Sequence, residues 1–262
     1  MNHSRPILFS DAMILAILAG SKSQTRRPIK PQPPAYIERL HGSRMCERVP
    51  YQLEDDEGRM RGVGFQDDND QFYQCPLGAP GDSLWVRECW RYAGFDDQGS
   101  PCIQYRSDMS MRWCEPHNDE WGEKLASIWE ELTDAAKLRG DGLIEDTKWR
   151  PSIFMPRFAS RIELSVKETL VERVADISME DAKAEGVPRI QWGKCRQLPV
   201  FNINRRLAIP KVDAESHVAG FYEIWSAIYP PGSEFSFERN PYVWAVHFSD
   251  VQVAESFMEV AA

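Results

Sequence analysis

Strands follow strands along most of this chain, and that order restricts the fold more than any other feature. After one strand and one helix, the period-two segments succeed each other without a crossover helix between each pair. A doubly wound parallel sheet needs such helices, so it is disfavoured. Arg5–Phe9 is a short apolar run suited to a strand. Ser10 stands at an N-cap position, and Asp11–Ala19 is a dense helical stretch that ends at Gly20. Ser21–Lys30 reads as a loop followed by a strand. Ser83–Tyr92 interleaves Leu84, Val86 and Trp90 with Trp85, Arg87 and Arg91, the pattern of a strand. Arg161–Val166 alternates Ile162, Leu164 and Val166 with polar residues and continues towards Val174. Tyr242–Phe248 is a last, aromatic-rich strand.

Helices are expected mainly in the connections. Glu123–Leu138 places Leu125, Ile128, Trp129, Leu132 and Ala136 at helical spacing. Ser178 with Asp181 three residues on is a capping-box variant that opens a short helix ending at Gly186. Asp213–Tyr229 sets Val218, Phe221, Trp225 and Ile228 on one face before Pro230-Pro-Gly232 stops it. Residues 31–80 hold Pro31, Pro33, Pro34 and the acidic runs Glu54–Glu57 and Asp67–Asp70, and read as an irregular insertion. The expected class is α+β: a small, mainly antiparallel β-barrel decorated with helical insertions. One domain, 1–262, is expected, with insertions at about 31–80, 96–148 and 188–239.

The net charge is −9, from 31 Lys and Arg against 40 Asp and Glu. A broad electrostatic grip on duplex DNA needs a basic face, so that class is disfavoured. Residues 1–50 nevertheless carry +5, with eight basic and three acidic side chains, leaving −14 on the rest. A local basic site on an acidic body fits this distribution, and so does a solvated face. No apolar run reaches the length of a membrane-spanning helix. With six Cys and no secretory leader pattern, a cytoplasmic protein with reduced thiols is expected.

Common chemical motifs are missing. The sequence contains no dinucleotide or phosphate-binding glycine loop, no H-E-x-x-H and no G-x-S-x-G. The cysteines, at 46, 75, 89, 102, 114 and 195, include no C-x-x-C pair. Cys114 and His117 are three apart, too little for a zinc site. Neither a metal nor another cofactor is expected.

The most specific segment is Gly20-Ser-Lys-Ser-Gln-Thr-Arg-Arg27, of the form Gly-x-Lys-x-x-Thr-x-Arg, directly after the first helix. It resembles the signature of the ASCH domain, a branch of the PUA-like β-barrel superfamily associated with RNA. Leu18-Ala-Gly20 is similar to that family's helix end and Pro80-Gly-Asp-Ser-Leu-Trp-Val-Arg-Glu88 to its central strand. Ile177-Ser-Met-Glu-Asp-Ala-Lys-Ala-Glu-Gly186 is similar to its second helix, and Asn240-Pro-Tyr-Val-Trp-Ala-Val-His-Phe248 to its closing strand. Together with Trp149-Arg-Pro-Ser-Ile-Phe-Met-Pro156, the combination resembles ASCH proteins of phages and prophages. The matched pieces cover less than half of the chain.

The resemblance implies recognition of a nucleobase or nucleotide, and an amidohydrolase that removes an N4-acyl group from cytidine. The family's reactive Lys, Thr and Glu fall on Lys22, Thr25 and Glu185. A Thr hydroxyl needs a base to take its proton, a Lys of lowered pKa can serve, and a protonated Glu can return a proton to the leaving amine. Arg26, Arg27, Trp85 and Arg87 are the expected substrate- or nucleic-acid-binding residues. Trp85, Trp90, Trp149 and Trp244 are candidates for base stacking, but the favoured reading is half-buried barrel aromatics. The alternative functions are a non-catalytic RNA-binding module and a phage accessory protein that binds a host protein. The expected partner is a nucleoside, a nucleotide or single-stranded RNA. The enzymes of this type are about a hundred residues long, so the insertions here leave their substrate open.

Overall fold

The computed structural model describes residues 3–33, 51–54, 60–66, 72–96, 100–115, 125, 127–128, 130, 148–187, 190–191 and 215–255. In chain order the strands are β1 (Ser4–Leu8), β2 (Gln24–Pro28), β3 (Tyr51–Glu54), β4 (Met60–Gln66), β5 (Phe72–Gln74), β6 (Ser83–Arg87) and β7 (Trp90–Phe95). They continue as β8 (Pro101–Tyr105), β9 (Met111–Trp113), β10 (Ile162–Arg173), β11 (Ile190–Gln191), β12 (Glu215–Ser216) and β13 (Tyr242–Val253). The helices with described bounds are α1 (Asp11–Leu18), α2 (Met179–Ala184) and α3 (His217–Ile228). The class is α+β, rich in strands. None of these helices is long and apolar enough to cross a membrane.

The chain forms two compact units, each assembled from separated segments. The first holds Met1–Leu18, Gly81–Ser165 and Ser249–Ala262; the second holds Ala19–Pro80 and Val166–Phe248. In the first, β1 runs parallel to β6, with Ser4 opposite Ser83 and Leu8 opposite Arg87. The start of β10 lies antiparallel on β6, Glu163 opposite Trp85. The strands β7, β8 and β9 form an antiparallel meander. Its inward aromatics pack with Leu125, Met155 and Phe158, and Trp90 meets Tyr92 edge-on at 5.0 Å. Ile128 is helical and packs against the same cluster, while most of the expected helix over Glu123–Leu138 lies outside the described residues.

In the second unit, β2 pairs antiparallel with β13, Thr25 opposite Val246 and Arg26 opposite Ala245. The helices α2 and α3 bury Ala182, Phe221 and Trp225 with Val174, Ile177, Val187 and Val243. Ser178 caps α2 as the sequence predicts: its Oγ accepts from Asp181 N at 3.0 Å, and Asp181 Oδ2 accepts from Ser178 N at 3.4 Å. The expected helix over Asp213–Tyr229 begins later, at His217, because Glu215–Ser216 pairs as β12 with β11.

The order of the five-stranded sheet is β1-β6-β10-β13-β2. It contains all four segments expected to form a barrel, but no sheet among the described residues closes on itself. Two further differences stand out. The stretch Ser83–Tyr92 breaks at Glu88-Cys89 into β6 and β7 of different sheets. Glu88 turns inward to Arg161, and Cys89 O accepts from Arg106 N, in register with the β7–β8 pairing rather than with β6. The stretch 31–80 is not all irregular: β3, β4 and β5 form an antiparallel sheet. Its short alternating segments are masked in sequence by the acidic residues between them, which lower the local hydropathy.

Candidate functional site

In the second unit Lys22 and Arg26 meet the buried Glu185 carboxylate, and Thr25 and Arg27 meet each other one position along β2. Glu185 follows the last residue of α2, and Gly186 behind it takes φ +75°, a left-handed conformation that glycine adopts without strain. Lys22 pairs with Glu185 in an isolated antiparallel bridge, and Ser23 N donates to Ala184 O at 2.8 Å. Ser23 O in turn accepts from Phe248 N at 2.9 Å. The chain leading into β2 is thereby clamped between the end of α2 and β13.

The Lys22 ammonium donates to Glu185 Oε2 at 2.9 Å, to Glu185 O at 2.9 Å and to Gln24 O at 2.6 Å. Glu185 Oε1 accepts from the Arg26 guanidinium at 3.3 Å. Arg26 also reaches Glu172 Oε2 at 2.6 Å and Asp181 Oδ2 at 3.2 Å. With the Gln24 amide oriented to face both groups, its nitrogen donates to Asp181 Oδ1 at 3.1 Å and its oxygen accepts from Arg26. Lys22 is 1% exposed and Thr25 is not exposed at all. Such burial would be prohibitive for isolated charges and is tolerable here because cations and carboxylates alternate.

Side chains alternate across a strand. Gln24 and Arg26 face the carboxylates, so Thr25 and Arg27 share the other side of β2. There Arg27 NH1 donates to Thr25 Oγ1 at 3.0 Å and to Arg26 O at 3.1 Å. A guanidinium on a hydroxyl oxygen favours the deprotonated form of that hydroxyl. Burial lowers the Lys22 pKa from its ordinary value; Glu185 opposes the shift, and Arg27 and Arg26 add to it. Burial likewise lowers Arg27, against Glu185 and Tyr229. At Asp181 burial works upward, but Arg26 and the Ser178 hydrogen bonds outweigh it and hold the carboxyl below its usual range.

Trp85 and Arg87 belong to the first unit. Arg87 lies 4.5 Å and Arg157 5.6 Å from the Trp85 ring centroid, so the ring is covered by guanidiniums. Trp90 and Trp244 are buried in packed strands, which supports the core reading for both; Trp149 is half-buried under Arg91, 4.6 Å from its centroid.

Glu172, Gln24 and the second role of Asp181 escaped the sequence reading. Asp181 was visible as a capping residue, but nothing in the local pattern connects a helix cap to an arginine on a strand 155 positions earlier. The first unit holds a comparable buried cluster that was also missed. Arg161 donates to both Glu88 oxygens at 2.8 and 3.0 Å, to Asp108 at 2.8 Å and to Ser110 at 2.6 Å. Among the described residues no group of three or more His, Cys, Asp or Glu is placed to hold a metal ion. Cys114 is buried in the first unit's core, and His117 lies outside the described residues. Compared with protein-family models, with curated proteins and with solved structures, the chain matches none.

Proposed function

We propose that the chain is a PUA-like ASCH protein that recognises a nucleobase, and that the cluster around Glu185 hydrolyses an N4-acyl amide of cytidine. The observation that carries this reading is the buried Lys22–Glu185 pair at 2.9 Å, one residue from the backbone of Thr25 through the Gln24 carbonyl. Burial lowers the Lys22 pKa, and moving one proton from Lys22 to Glu185 turns the ion pair into a neutral amine beside a neutral acid. The amine takes the Thr25 hydroxyl proton through one intervening water, since Thr25 leaves β2 on the side opposite Gln24 and Arg26, as Oγ attacks the acyl carbon. The C–N bond then breaks, and the cytidine nitrogen receives a proton from Glu185. Water, deprotonated by the same pair, cleaves the resulting threonyl ester, releasing the carboxylic acid and restoring Thr25. Arg27 stabilises the alkoxide through its hydrogen bond to Oγ1.

One observation favours a second reading. Lys22 and Thr25 are closed off while Arg27 is half-buried, as in a module that binds a nucleoside through Arg27 without cleaving it. Incubating the native chain with a panel of N4-acylated cytidines, and separating cytidine from substrate by chromatography, tests the hydrolase. Cytidine release that Lys22→Ala abolishes supports it. Binding without release, weakened by Arg27→Ala and indifferent to Thr25→Val, assigns the module instead.

A further inference from the structure

Glu185 is held by two cations at once, one on each carboxylate oxygen. Lys22 donates to Oε2 at 2.9 Å and Arg26 to Oε1 at 3.3 Å. Only the first belongs to the proposed reaction. Arg26 faces away from Thr25, because neighbours on a strand point to opposite sides. Its terminal nitrogens are already engaged: NH1 meets Glu185, and NH2 meets Glu172 at 2.6 Å and Asp181 at 3.2 Å. The Gln24 amide oxygen accepts from the same guanidinium. The Phe221 ring of α3 lies 6.0 Å from the guanidinium carbon. The Arg26 side chain has no exposed surface.

The acceptors around Arg26 come from three elements. Gln24 shares β2 with it, Glu172 stands on β10, and Asp181 and Glu185 lie at the two ends of α2. Asp181 is itself fixed by the capping box with Ser178. A planar guanidinium gripped by several acceptors in a fixed fork does not swing, so the carboxylate it holds does not rotate away from Lys22. Charge is shared as well as geometry. Glu172 and Asp181 offset the Arg26 charge, which leaves Glu185 as the partner of Lys22. The other charged groups acting on this point are Arg27 and, through it, Tyr229, together with His247, which stands opposite Gln24 on β13 and acts on Asp181.

We propose that Arg26 is a positioning residue: it fixes the Glu185 carboxylate against Lys22, and Glu172, Asp181 and Gln24 fix Arg26 in turn. It meets no substrate and takes no part in bond making. The sequence alone places Arg26 among the binding residues, whereas its neighbours in the fold are acceptors of this same chain. The consequence for turnover rests on the hydrolase reading; the effect on the Lys22 proton does not.

The two effects of the network have separable signs. Burial is the largest influence on Lys22 and lowers its pKa; Glu185 raises it, and Arg27 and Arg26 lower it further. Glu172→Gln keeps the shape and removes a counter-charge from Arg26, so Arg26 draws harder on Glu185 and repels Lys22 more. Lys22 then loses its proton at lower pH. Arg26→Gln removes the repelling cation, and Lys22 keeps its proton to higher pH. A network that only braces the fold behaves otherwise. Loosening it admits water, relieves the burial of Lys22 and moves its midpoint upward in both variants.

The ε-carbon resonances of labelled lysine, followed against pH in the full chain, test this, with that of Lys22 assigned by its absence from Lys22→Arg. A lower midpoint in Glu172→Gln and a higher one in Arg26→Gln are expected. Glu172→Gln changes charge and not shape, so it decides even where Arg26→Gln does not fold. In turnover of N4-acylated cytidine, Arg26→Lys is expected to lower kcat about tenfold or more at unchanged KM, as misplacing a catalytic group does. A Lys22 midpoint in Glu172→Gln that stays in place or moves upward overturns the proposal. So does a raised KM with native kcat in Arg26→Lys, which assigns Arg26 to binding. A native chain without turnover sinks the hydrolase reading alone, and the Lys22 midpoints still decide the role of Arg26.

Discussion

Lys22 meets Glu185 twice, once at the carboxylate and once at the backbone carbonyl, both at 2.9 Å across 163 positions of sequence. The double contact means that the ammonium follows the end of α2 as a body, not only its side chain. Removing the carboxylate leaves Lys22 and Arg26 buried with one fewer counter-charge. Glu185→Ala is therefore expected to destabilise the protein by about 3–5 kcal/mol, the usual cost of stripping one partner from a buried pair. Urea unfolding measures it, and a loss below about 1 kcal/mol would show that the pair behaves as a surface contact.

The pair also fixes the sign of the pH dependence. Burial brings the Lys22 pKa down from 10.5, so the pair gives up its last proton earlier than a free lysine would. Without that proton no acid remains for the leaving amine. Turnover is expected to fall on the alkaline side with a midpoint below 10.5. In Glu185→Gln the acid is absent at every pH, and the weak residual rate is expected to rise with pH as Lys22 becomes a free base. A pH–rate series on both proteins checks this; identical profiles would remove Glu185 from the proton path.

Acid stability follows from two aspartates. At both Asp108 and Asp181 burial works upward, and hydrogen bonds and arginine charge more than offset it, so each titrates below 3.8 in the folded protein. The unfolded chain then binds more protons in that range, and the stabilisation is complete above it and lost as pH falls through the folded values. The urea midpoint of the native chain is expected to drop more between pH 7 and about pH 3 than that of the Asp108→Asn, Asp181→Asn double variant. Equal drops would contradict the account.

In the first unit, Glu88 neutralises an arginine that is itself buried. Glu88→Ala is expected to cost about 3 kcal/mol or more by the same reasoning. Thermal unfolding reads the effect, and a thermal midpoint within a degree or two of the native one would mean that Asp108 alone suffices.

Sequence reading reached the elements whose signals are local. The cap at Ser178, the stop at Gly186 and the alternation of Ile162, Leu164 and Val166 each depend on neighbours within a few residues, and each matches the structure. What it missed depends on distance. At the break between β6 and β7, Glu88 pairs with Arg161, more than seventy residues away. The acids on Arg26 come from β10 and α2, and no pattern in Gln24–Pro28 announces them. The contact between Lys22 and Glu185 joins a short motif to a helix end, both of which the sequence displays, whereas the Thr25 hydroxyl meets Arg27. The exposure of Phe154 was not legible, since Phe154 and Phe158 look alike in sequence and only packing separates them.

Thr25 gives the most direct test of the proposed chemistry. Its hydroxyl is the atom assigned to bond formation, and valine keeps its shape without it. Native chain, Thr25→Ser and Thr25→Val are each mixed with N4-acetylcytidine, and cytidine release is followed together with the mass of the acid-quenched protein. The account predicts release by the native chain and, more slowly, by Thr25→Ser. It also predicts an acyl adduct mapping to residue 25 in both, and neither release nor adduct in Thr25→Val. Undiminished cytidine release by Thr25→Val would contradict it.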